Sequence, residues 1–107
     1  MDSARGRELF AEKGYIVCHQ VGGIGGQVGP SLNAADMSMP MNTFEFAARM
    51  WRGAPAMIEM QKELFGDALD LSRDELADII GFTHDEAELK KLVPEQIPAR
   101  CRELIGE

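Results

Sequence analysis

The 107-residue chain holds only two cysteines, Cys18 and Cys101, too few for a disulfide scaffold. Basic side chains are also scarce: 11 Lys and Arg stand against 18 Asp and Glu, a net charge of -7. Binding nucleic acid relies on basic groups that release phosphate counterions, so that partner class is set aside. No long apolar run is present. Residues 14 to 35 carry no Asp, Glu, Lys or Arg, but glycine and polar residues interrupt them too often for a membrane span. The amino end, Met1-Asp2-Ser3-Ala4-Arg5, lacks the apolar stretch of a secretory signal, which predicts a soluble chain, either cytoplasmic or a mature form without its leader. No segment alternates polar and apolar residues as a half-buried strand does, so the fold class expected is all-α.

The length suits one domain over residues 1–107, and a domain this small gains from a large apolar ligand at its centre. Residues 4 to 13 have helical spacing at Gly6, Leu9, Phe10 and Lys13, with Ser3 as the expected cap and Gly14 as the stop. Five glycines and Pro30 make Val21 to Leu32 a loop. Asn42 and Glu45 resemble a capping box for a second helix, whose Phe46, Ala47, Met50 and Trp51 are expected to share a buried face before Gly53-Ala54-Pro55 interrupts it. A further helix is expected over residues 56 to 65, with Met57, Met60 and Leu64 on one side. Ser72-Arg73-Asp74-Glu75 is a second capping box, opening a helix expected to reach about residue 92. After Pro94 and Pro98 a short terminal helix places Ile97, Cys101, Leu104 and Ile105 together, with Cys101 expected free and near the surface.

The chemistry lies in Cys18-His19. Covalent haem attachment needs a thiol to add across a vinyl group and an imidazole to reach the iron, and its usual signature is C-x-x-C-H. Only the last two positions are here, with Tyr15 where the first cysteine would stand. Taken with "GRELFAEKGYIVCHQVGG", "VGPSL", Gly6, Phe10, Trp51, a methionine region and Phe82, the dipeptide resembles the small class I c-type cytochromes over about residues 3–83. The resemblance implies short helices wrapped around one haem c, with a C-terminal helical extension over about residues 85–107. It implies that the first and late helices cross at Gly6, with Phe10 and Phe82 nearby. It also implies His19 as the proximal iron ligand through Nε2, with the Pro30 carbonyl accepting from Nδ1 to fix the ring. On spacing alone Gly29-Pro30 reads as an ordinary turn. Tyr15 has no thiol, so a single thioether through Cys18 is implied; a packing or rim role is expected for Tyr15 itself.

Seven methionines are many for this length, and a thioether is a soft ligand suited to low-spin haem iron. By the family's arrangement the distal ligand is Met60, with Met57 the close second, although neither is followed by the family's usual proline. Met50 reads as core filler, and His84, the other conceivable distal ligand, follows the late helix and reads as exposed. Trp51, Arg49 and Arg52 are candidates for hydrogen bonds to the propionates. His/Met ligation fills both axial positions and favours one-electron transfer to redox partner proteins over enzymatic chemistry. Since covalent attachment takes place outside the bacterial cytoplasm, the resemblance implies a periplasmic location.

Two other functions compete. Met37-Ser38-Met39-Pro40-Met41 is a run of alternating thioethers that could make a copper(I)-binding module. A haem sensor, or a haem-bearing subunit of a larger redox complex, would need the distal position to open or the extension to engage a partner rather than dock back on the domain. The oligomeric state is not encoded in any motif.

Overall fold

The structure is a computed structural model that describes residues 1–37 and 40–106, so Ser38 and Met39 of the methionine run lie outside the described residues. Five α-helices follow one another: α1 (Ser3–Glu12), α2 (Thr43–Phe65), α3 (Arg73–Thr83), α4 (Glu86–Leu89) and α5 (Ala99–Ile105). Short 3₁₀ turns at Tyr15–Val17, Ala34–Asp36 and Pro94–Gln96 join them. Among the described residues there is no β-sheet; the one antiparallel bridge pairs Val21 with Ile24 inside the glycine loop. No helix among them is long and apolar enough to cross a membrane.

α1 and α3 form the most extensive helix contact. Gly6 permits it: a Cβ there would lie 2.0 Å from the Asp78 carbonyl oxygen and 2.9 Å from Phe82 Cβ, inside contact distance. The rings of Phe10 and Phe82 then pack with centroids 5.5 Å apart, and both are fully buried. Asp2 rather than Ser3 caps α1, accepting from Arg5 N–H at 3.1 Å, because Asp2 has the extended backbone a cap needs while Ser3 is already helical. Its own N–H donates to Asp78 Oδ1 at 2.8 Å, tying the start of α1 to α3.

Pro55 does not break α2. Proline removes one intrahelical bond, the one to the Trp51 carbonyl, and both residues are on the exposed side, where water can take that acceptor. Conversely, α3 is shorter than expected. The Thr83 hydroxyl and His84 Nδ1 both reach the Ile80 carbonyl, at 2.9 and 2.8 Å, and compete for the last turn, while Asp85 caps α4 by accepting from Glu88 N–H. Residues 86 to 105 fold back: Leu89, Leu92, Ile97 and Cys101 join the same core as Leu9, Phe10, Ile16 and Phe82. Cys101 is therefore a buried free thiol and not a surface one, with burial pushing its pKa up.

Candidate functional site

The turn Tyr15–Val17 buries Ile16 and Val17 and delivers Cys18 and His19 to the surface of the core. The glycine loop then folds back along it: Gly26 N–H donates to Ile16 O at 2.9 Å, Gly29 N–H to Cys18 O at 2.7 Å, and Leu32 N–H to Gln20 O at 2.8 Å. These bonds bring Gly29-Pro30 against the His19 ring. Nδ1 of His19 lies 2.8 Å from the Pro30 carbonyl oxygen. A carbonyl can only accept, so Nδ1 carries a proton, and in the neutral ring Nε2 is the nitrogen left to bind a ligand.

His19 opens onto a cavity of about 680 Å³, within the size range of small-molecule and cofactor sites and lined mainly by apolar groups. Cys18, Pro30, Met57, Met60 and Arg49 also line it. Burial raises the Cys18 thiol pKa. Tyr15 lines the cavity too, half-buried with its ring centroid 6.4 Å from that of Phe10; burial first, then Glu75 and Asp70, push its phenol up to about 12.

The far wall is α2. Phe46, Met50, Gly53, Met57, Met60 and Leu64 recur at helical spacing, and all but Leu64 face the cavity. The helix packs only sparsely on the other elements, and its single buried residue is Gln61, whose Oε1 accepts from Leu69 N–H at 2.9 Å. From Phe46 to Met60 the inner apolar stripe of this 23-residue helix thus faces an open space, while Leu64 and Phe65 at its end pack against the core.

The sequence expectations meet this geometry unevenly. Cys18, His19, Pro30, Arg49, Met57 and Met60 share one cavity. Trp51 and Arg52 are outside it: at 100° per residue they turn away from the Met50–Gly53–Met57 line, and Trp51, expected on a buried face, is 82% exposed. Ala47 is likewise exposed. Arg49 reaches Glu45 Oε1 at 2.8 Å, so its guanidinium is already partnered at the cavity edge. His84, expected exposed, lines the cavity with its ring 6.2 Å from that of Phe46, because the early end of α3 leaves it on the inner side. Met37 lines the cavity as well. Sequence reasoning missed Gln61 and took Gly53 as part of a break; the repeat from Phe46 to Leu64 contains Gly53, whereas Gln61, a polar residue four places after Met57, stands outside any apolar pattern. Among the described residues no three His, Cys, Asp or Glu side chains gather as a metal site.

No family model, curated protein or solved structure matches this chain.

Proposed function

We propose that the chain is a one-electron carrier of the class I cytochrome type, holding one haem c in the cavity between α2 and the α1–α3 body. The observation that carries this reading is the His19 imidazole, oriented by the Pro30 carbonyl at 2.8 Å, on a largely apolar cavity whose opposite wall offers Met57 and Met60. One nitrogen and one thioether from the protein suffice when a porphyrin supplies the remaining donors, and an apolar enclosure suits the macrocycle. Cys18, next to His19 on the same cavity, would form one thioether, and Tyr15 stands at the sequence position of a second thiol. Met60 is the preferred distal ligand and Met57 the alternative. The close crossing at Gly6 and the Phe10–Phe82 pair support the same fold. Arg49 remains a candidate for the propionates; Trp51 and Arg52 do not. The bound group would supply a single-electron couple; the protein would hold its ligands still and exclude water. Attachment of this kind places the mature protein in the periplasm, serving redox partner proteins.

The test is an intact-mass and visible spectrum of the protein produced with haem-attachment machinery. One covalently bound haem and a low-spin spectrum are expected, with His19→Ala losing that spectrum and Cys18→Ala releasing the haem into acidified organic solvent. A folded, colourless protein that rejects haemin would overturn the reading, and bound copper without porphyrin absorption would favour the thioether-rich copper(I) alternative. Ready binding of carbon monoxide by the reduced protein would point to the sensor instead.

A further inference from the structure

The outer side of α2 carries a second apolar stripe, separate from the cavity. Phe44 is 86% exposed, Trp51 82% and Ile58 41%, and they follow one another at seven-residue steps. Such steps keep three side chains in one line along a helix. Exposed Ala47, Ala48 and Pro55 lie between them, so the stripe alternates projections with shallow places. Large apolar side chains aligned on one exposed helix side are the pattern that contact surfaces show.

We propose that this stripe is a homodimer interface, in which the α2 helices of two copies pack antiparallel about a two-fold axis near residues 49 and 50. A two-fold contact must fit itself. In this register Trp51 seats on Ala48 of the second copy, Phe44 on its Pro55, and Ile58 beside its Met41, which is itself exposed just before α2. Every projection thereby meets a smaller or flexible side chain. The same register brings the exposed Arg52 to the flank where Glu45 of the second copy stands, adding opposite charge to the existing Glu45–Arg49 pair.

The area is adequate for the assignment. Two aromatic side chains contribute roughly 300–400 Å². With Ile58, Met41 and the alanines, each copy hides on the order of 600 Å², about the lower limit for a specific interface. An interface at that limit fits a weak, reversible dimer. Each copy carries a net charge of -7, so overall repulsion opposes pairing and salt relieves it. A basic partner protein would behave in the opposite way. The stripe itself lies on the side of α2 away from the cavity-lining Met50, Gly53, Met57 and Met60.

Sedimentation equilibrium of the full chain, from low micromolar to millimolar concentration in low and high salt, tests it. The expected result is a concentration-dependent rise from 11.8 kDa towards twice that mass, with association tighter in high salt. Ala48→Glu, a solvent-facing change in α2, should leave the circular dichroism unchanged and abolish the dimer, and Trp51→Ala should weaken it at least tenfold. A monomer at every concentration in both salts, a dimer that survives Ala48→Glu, or association that weakens with salt would each overturn the assignment.

Discussion

Gly29 decides where the His19 ring can lie. A Cβ at this position would stand 2.6 Å from the ring's Cε1 and 2.8 Å from Nδ1, closer than carbon and nitrogen approach without a bond. Gly29→Ala therefore has to push the imidazole off the Pro30 carbonyl. The expected effect is a loss of stability of about 1–3 kcal/mol, typical of forcing extra volume into a packed place. In the haem-loaded protein the low-spin spectrum should weaken as well; denaturant titration and visible absorption of the variant check both, and an unchanged spectrum would show that the ring has room. The Cys18-His19 dipeptide was legible in the sequence because the chemistry is local. Gly29-Pro30 was not legible from spacing alone, since its role comes from the loop folding back over eleven residues to meet the ring.

At the level of the elements, the start of α3 carries the clearest pH dependence. Glu75 accepts from the Ser72 backbone N–H at 2.9 Å and from Lys13 Nζ at 2.9 Å. The Ser72 hydrogen bond first, then Lys13, lower its pKa from the usual 4.5 to about 2. A carboxylate whose folded value is depressed contributes fully above its unfolded pKa, and the contribution fades as pH falls towards the folded value. The melting temperature of the protein should thus drop between about pH 4.5 and pH 2, the two values that bound the shift. Glu75→Gln should melt lower at neutral pH, and its deficit should vanish near pH 2; a deficit unchanged across that range would assign the residue a non-ionic role. This capping box was readable from Ser72 and Glu75, whereas Lys13 is a long-range partner that no local pattern announces. The opposite error occurred at Pro55, where a strong local signal gave way to an exposed helix side that tolerates a lost bond.

For the molecule as a whole, two parts are held differently. α1, α3, α4 and α5 share a continuous buried core with the Tyr15–Val17 turn, while α2 sets its inner stripe across the cavity and has only Gln61 buried. The helical pattern of each part was legible; what the pattern could not show is whether an apolar face meets another helix or a ligand, because Met and Phe at helical spacing look alike in both cases. The carboxyl-terminal segment posed the same question, and there Leu89, Leu92, Ile97 and Cys101 close on protein. Local stability follows buried contacts, so α2 should open far more readily than α1 or α3 when the cavity holds nothing. A ligand that bridges His19 to Met60 or Met57 stabilises only the state in which α2 is docked. Hydrogen exchange read by mass spectrometry compares the haem-loaded protein with Cys18→Ala/His19→Ala produced without haem. Amides of residues 43 to 65 are expected to exchange at least tenfold faster in the latter, with those of α1 and α3 little changed. Equal protection of α2 in both forms would mean that its inner stripe is held by protein contacts alone.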